Sequence, residues 1–300
     1  MFILIFSHHF CGCILSFFSG AQLIIMKKFQ EINSLILEGF KGYIKNRIIW
    51  FTKLINWKFN IILLTCQKRS NVVFVGSSAV KERWYSNKKS KLFIPLSSVG
   101  VNQNFKKNKN VIRRSHNSHV FTFLSVGRFI TMKSFELSVL AYTHFLISNP
   151  NLNNTRLLLI GQGPSLKNID KYVKDIPFNG RVEFLEWVDH SEIGNYFSQS
   201  DVFLFPSHEG AGMVVAEALR AGLPVVCLLN NGPSELIANA GVKVRYEGFY
   251  KTAISLANEM TLLYKDCELR NNLSRKALER VKNFFWPEKA KLICKAYKNI

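Results

Sequence analysis

The stretch Asp201–Leu228, DVFLFPSHEGAGMVVAEALRAGLPVVCL, decides the fold. DVFLF is a short apolar run closed by Pro206, and PVVCL is a second one. Both have the length and composition of strands buried on two faces. Between them Met213, Val214, Ala216, Ala218, Leu219 and Ala221 give a largely apolar helix, and Gly222 marks its end. A helix that joins two such strands is a right-handed parallel crossover. Its polar residues then stand out: Glu209 at the helix mouth, Gly210 and Gly212 beside it, and Glu217 inside it.

On a helix, the eight residues from Glu209 to Glu217 make roughly 2.2 turns, which would put both carboxylates on one side, about 12 Å apart along the axis. Glycines at the N-terminus admit a ligand to free backbone N–H groups, where the helix dipole favours an anion. A ligand with hydroxyls at both ends and phosphates between, such as a nucleotide sugar, suits that arrangement. Two solvated surface carboxylates suit the same spacing.

Outward from this stretch the pattern stays regular from Val120 onward. VFTFLSV leads to Gly127-Arg128, and a helix is expected over about 133–148. RLLLI (156–160) leads to Gly161-Gln162-Gly163-Pro164, and another helix follows. Next come RVEFL (181–185), a helix over 191–199, the central stretch, and a last strand VKVRY (242–246). Helices at about 250–264, 267–284 and 287–298 close the chain, with a break or kink at Trp286-Pro287. Strands alternating with helices predict a doubly wound parallel sheet in an α/β fold.

PSHEGAGMVVAEALRAGLPVV (206–226) resembles the signature of the retaining glycosyltransferases of family 4. In these enzymes Pro-Ser-x-x-Glu-Gly-x-Gly is followed by a second Glu eight residues after the first. Here Glu209, Gly210, Gly212, Glu217, Ala218, Gly222 and Pro224 fall in register, and Pro206 and Ser207 precede them one residue closer to Glu209 than in that pattern. GRFITMK (127–133) resembles the family's Gly-Arg-x-x-x-x-Lys-Gly element, with Ser134 standing where Gly is usual. The resemblance implies the GT-B fold, two Rossmann-like domains with parallel sheets, the first short or incomplete. It implies transfer of a sugar from a nucleotide-sugar donor to a saccharide or lipid-linked acceptor, with retention and without a metal or other cofactor. It assigns catalysis to Glu209, Arg128 and Lys133, with the donor sugar on Glu209, the ribose on Glu217 and the diphosphate on Arg128 and Lys133. Donor binding falls to Gly127, Arg128, Lys133, Gly161, Gly163, Glu209, Gly210, Ala211, Gly212, Met213 and Glu217. Phe184–Trp187 resembles the segment near the base, with Glu186 where Gly is common. Gly232-Pro233 resembles the turn beside the donor phosphates.

Composition bounds the rest. Three hundred residues, 48% of them hydrophobic, allow two ordinary domains. Six scattered cysteines (Cys11, Cys13, Cys66, Cys227, Cys267, Cys294) lack zinc spacing and indicate a reducing compartment, so a cytoplasmic location is expected. Cys227, in a buried strand, reads as a small hydrophobe. The formal charge is +20, and residues 1–110 hold +14 of it, from 17 basic and three acidic side chains. No nucleic-acid-binding motif accompanies that charge. Phe40, Tyr43, Ile44, Trp50, Phe51 and Trp57 interleave with Lys41, Lys45, Arg47, Lys53 and Lys58, as in an amphipathic helix pair at an anionic membrane surface. Packing inside the first domain is the alternative.

Residues 1–26 are strongly apolar but begin without the positive charge of a signal peptide, and His8 and His9 interrupt a spanning helix. They read as strand and helix of an α/β domain, with a membrane segment as the alternative. His8, His9 and Gly20 are the only counterparts of the family's first-domain His and Gly-rich loop. NVVFVGSS (71–78) is a strand and turn before a helix at Ala79–Trp84, and Leu92–Pro95 resembles the exit from that domain. The expected division is therefore 1–102 as an acceptor-side domain, 103–119 as linker, 120–285 as the nucleotide-sugar domain and 286–300 as a helix returning toward the first. The first domain is shorter than the family's, which leads to the expectation of an N-terminally truncated chain. A donor-binding module without transferase activity is the rival reading.

Overall fold

The computed structural model describes residues 4–5, 14–15, 72–75, 92–103, 120–174, 176, 181–230 and 232–298. His8, His9, Gly20, the basic stretch 41–58, the helix expected at 79–84 and the linker from 104 onward lie outside the described residues. The chain divides into two compact units, residues 1–96 with 296–300, and residues 97–295.

The first unit carries a four-stranded sheet in the order β2-β1-β3-β4, formed by β1 (Leu4–Ile5), β2 (Ile14–Leu15), β3 (Val72–Val75) and β4 (Leu92–Pro95). β3 pairs in parallel with β1 and β4, as an α/β domain requires. The β1–β2 pair is antiparallel, against the expectation of parallel sheets throughout. Only residues 6–13 separate these strands, too few for the crossover that a parallel pair needs.

The second unit holds the regular alternation. Its strands are β5 (Phe121–Val126), β6 (Thr155–Ile160), β7 (Arg181–Leu185), β8 (Val202–Phe205), β9 (Val225–Leu228) and β10 (Gly241–Val244). All neighbouring pairs are parallel, and the order is β10-β9-β8-β5-β6-β7. The helices are α1 (Phe135–Ser148), α2 (Leu166–Lys174), α3 (Ile193–Gln199), α4 (Met213–Arg220), α5 (Pro233–Ile237), α6 (Phe249–Lys265), α7 (Cys267–Arg280) and α8 (Trp286–Lys298). The break expected at 286–287 is a 3-10 turn, Val281–Phe284, after which Pro287 sits in the first turn of α8.

Helices cover both faces of this sheet. Phe123, Leu157, Leu159 and Leu204 point into a core shared with α1 and α6. Leu124, Val126, Phe203 and Cys227 point into a second core shared with α4, α5 and α7. Alternate residues of one strand thus serve opposite layers, which is why these strands read as unbroken apolar runs. Rings dominate the α1–α6 layer: Phe123 meets Phe145 edge-on at 5.1 Å between centroids, and Phe145 meets Tyr264 at 5.9 Å. Cys227 is fully buried, and its surroundings push the thiol pKa up to about 12, so it stays protonated.

Two devices set where α4 and α8 begin and end. Past α4, Gly222 adopts a left-handed φ of 69° while its N–H reaches Leu219 O and the Leu223 N–H reaches Ala218 O. This closes the helix in a Schellman turn. Before α8, Val101 bridges to Phe285, and Lys289 Nζ donates to the carbonyls of Ser97 (2.6 Å) and Val99 (2.8 Å) beneath the Trp286 ring. Gly222→Ala forces an L side chain into the left-handed region with its Cβ 3.1 Å from Leu278 Cγ. A stability loss of about 1–2 kcal/mol is expected from the denaturant midpoint.

Candidate active site

The order of the second sheet reverses direction between β5 and β8. At such a switch point the loops that follow the two strands diverge to opposite faces, leaving a crevice beyond their carboxyl ends. The β5 loop carries Gly127, Arg128 and Lys133; the β8 loop carries Glu209, Gly210, Ala211 and Gly212. The fold therefore brings together the two motifs that sequence alone leaves 76 residues apart.

Lys133 Nζ forms a short ion pair with Glu209 Oε2, with the two side chains only 14% and 11% exposed. The same ammonium lies 5.1 Å from the Phe205 ring centroid. Backbone bonds hold the pair in place, since the His208 N–H and the Ser207 hydroxyl both donate to Met132 O, at 2.9 and 3.2 Å. Lys133 closes a 3-10 turn, Thr131–Lys133, and Ser134 follows it at φ 51°. The left-handed backbone explains why Gly is usual at that position, and Ser134 adopts it at a cost of about 1 kcal/mol. Arg128 is exposed, with no side-chain partner among the described residues.

Glu209 lies outside the helix, which corrects the helical-spacing argument. The backbone stays non-helical until Met213, and Gly212 is the N-cap at φ −171°. Gly210 and Gly212 keep the loop open, so Glu209 turns toward Lys133 instead of sharing a helix side with Glu217. Gly210 to Met213 form the approach to the free N–H groups of α4. Glu217 lies inside α4, 7% exposed, with Oε1 3.1 Å from His190 Nε2. That is the distance of an imidazole N–H donating to a carboxylate.

Gly161 and Gly163 have a packing role that sequence reasoning missed. Phe129 N–H donates to Gln162 O and Ser165 N–H donates to Phe129 O, both at 2.9 Å, so the β6 loop is zipped to the β5 loop. A Cβ on Gly161 would lie 1.8 Å from Gly127 O, and one on Gly163 would lie 2.4 Å from Phe129 O. On the other side Asn230 Nδ2, just past β9, donates to Ser207 O at 2.7 Å. Four strand-end loops thus form one hydrogen-bonded row along the carboxyl edge of the sheet. Neither Asn230 nor His190 carries a sequence signal, because their partners are distant in the chain. Trp187, placed by resemblance near a base, is 70% exposed. Among the described residues no group of three metal-ligating side chains occurs.

A doubly wound domain with a lysine, a carboxylate and a helix N-terminus at its switch point has the form of a site for an anionic ligand. Residues 106–280 match the family of glycosyl transferases group 1, more than half of the chain, and the chain belongs to that family. It is 29% identical over 190 residues to a D-inositol 3-phosphate glycosyltransferase of Pseudarthrobacter chlorophenolicus, a match covering 62% of this chain and 44% of that protein. It is 34% identical over 107 residues to the alpha-monoglucosyldiacylglycerol synthase of Acholeplasma laidlawii, covering 35% of this chain and 26% of that one. The chain spans less than half the length of these curated relatives. Among solved structures it resembles a pneumococcal O-GlcNAc transferase in complex with UDP and GlcNAc, with TM-score 0.60 and 12% identity over 78% of this chain and 46% of that one. It also resembles a sucrose-phosphate synthase of Thermosynechococcus elongatus, with TM-score 0.59 and 24% identity over 77% and 58%. The fold class is α/β, of the GT-B type.

The Lys133–Glu209 pair lends itself to a double-mutant cycle. Lys133→Ala and Glu209→Ala each leave one charge unpaired in a largely enclosed position, whereas the double variant leaves none. The double variant is expected to be more stable than the sum of the singles allows, with a coupling of about 1–3 kcal/mol by chemical denaturation.

Proposed function

We propose that this chain transfers a sugar from a nucleotide-sugar donor to a saccharide or lipid-linked acceptor, with retention at the anomeric carbon. The observation that carries the proposal is the pairing of Lys133 with Glu209 at the switch point, beside the N-terminus of α4. It puts a cation where diphosphate charge would develop next to a carboxylate able to accept from sugar hydroxyls. Arg128, exposed on the same loop, supplies a second cation for the diphosphate. Glu217 accepts the ribose hydroxyls, with the donor running along the site from Glu217 to Glu209.

In the reaction, the bond between the anomeric carbon and the diphosphate oxygen breaks through an oxocarbenium-like state. The acceptor oxygen bonds to the same face of that carbon. Its proton passes to the departing diphosphate, whose remaining charge Lys133, Arg128 and the α4 N–H groups balance. The UDP in the pneumococcal structure and the glycolipid synthase among the relatives support a nucleoside diphosphate donor and a role in surface glycan or glycolipid assembly. Among the described residues no helix is long and apolar enough to cross a membrane. The basic, aromatic stretch 41–58 is proposed to hold the protein peripherally at an anionic, cytoplasmic membrane face.

Calorimetric titration with UDP beside a sugar-transfer assay tests this reading. Lys133→Ala is expected to weaken UDP binding and to cut turnover together, and unchanged kinetics in the folded variant would remove its assignment.

Glu217→Ala is expected to weaken UDP, while Glu209→Ala leaves UDP binding nearly intact and lowers transfer. Each lost charged hydrogen bond costs roughly 1.5–3 kcal/mol, or about tenfold to over a hundredfold. Equal weakening of UDP by both substitutions reverses the assigned orientation. UDP binding with no transfer in the unsubstituted chain marks a donor-binding module instead.

A further inference from the structure

A second concavity of about 480 Å³ opens beside the site, wholly within the second unit. Its size falls in the range of small-ligand pockets. None of the residues assigned to the donor lines it. It touches the site only through neighbours in sequence: His208 precedes Glu209, and Ser134 follows Lys133.

The composition of its walls selects a ligand class. Tyr172 and Phe249 lie 5.7 Å apart between ring centroids and form one side. Tyr246, 46% exposed, stands edge-on to His208 at 4.8 Å and forms another. Thr131 and Asn168 also line the pocket and offer a hydroxyl and an amide. Aromatic rings together with neutral hydrogen-bonding groups match a pyranose, which has an apolar C–H face and a polar rim.

The charge supports the same choice. Lys171 and Glu136 both line the pocket and contribute one formal charge of each sign. His208 does not add a cation, because desolvation holds its pKa below the ordinary imidazole range and leaves it neutral at pH 7. An anionic ligand would gain little from such walls.

We propose that this pocket binds a neutral sugar ring of the glycan on which the enzyme acts, at a distance from the reacting residue. The inference rests on the glycosyl-transfer reading. A glycan held here reaches the loop that bears Glu209 from the side of the α1–α2–α6 layer, so its role is retention of the acceptor chain.

The test uses the full chain with neutral trisaccharides of gluco, manno and galacto configuration, observed by saturation-transfer NMR and titrated at millimolar concentration. UDP is titrated in parallel. At least one trisaccharide is expected to bind. Asn168→Trp, which fills the pocket from an exposed helical position, and Tyr246→Ala, which removes an exposed wall, should each weaken it about fivefold or more. Asn168→Trp should leave UDP binding unchanged. UDP binding without any trisaccharide binding overturns this inference and spares the function; absence of both removes both. Trisaccharide binding that persists in the two variants, or that inorganic phosphate displaces, also overturns it.

Discussion

The second unit depends on one ion pair being reachable. Lys133 and Glu209 are 76 positions apart and stand on loops of different strands, yet they meet in a largely enclosed space. An enclosed charge is costly unless it is paired and well held. The sheet order meets that condition by placing β5 next to β8, so the two loops leave adjacent strand ends. The Met132 carbonyl accepts two further bonds from the β8 loop and fixes the distance between the backbones. Parallel pairing, the two-faced core and the Schellman turn at Gly222 all serve to keep those strand ends in register.

The strands and helices of this unit were legible because burial on two faces writes itself as unbroken apolar runs. Val202–Phe205 and Val225–Leu228 are such runs, and Gly222 and Pro224 punctuate the turn between α4 and β9. The candidate site residues came from resemblance to a family and only partly from physics. The spacing of Glu209 and Glu217 suggested one helix side, but two glycines postpone the helix to Met213 and send the carboxylates to different partners. Which lysine meets which glutamate depends on strand order, which no local pattern encodes. The glycines at 161 and 163 drew notice as a ligand loop. Their packing against the Gly127–Phe129 backbone was invisible because the contacting atoms belong to a loop more than thirty residues earlier in the chain. In the first unit, the short reach of residues 6–13 dictates an antiparallel pair where a family pattern suggested a parallel one.

The row of loops joining Gln162, Phe129, Met132, Ser207 and Asn230 has a thermodynamic consequence. Four strand ends are cross-linked by backbone and amide hydrogen bonds before any ligand arrives. The conformational freedom of these segments is therefore lost at folding and is not lost again on binding. A ligand that docks along the row meets donors and acceptors already aimed, so its association carries a small ordering entropy. The cost appears instead as intolerance: a methyl group added at Gly161 or Gly163 has no slack in which to settle, and its strain spreads from one loop to the next along the whole edge.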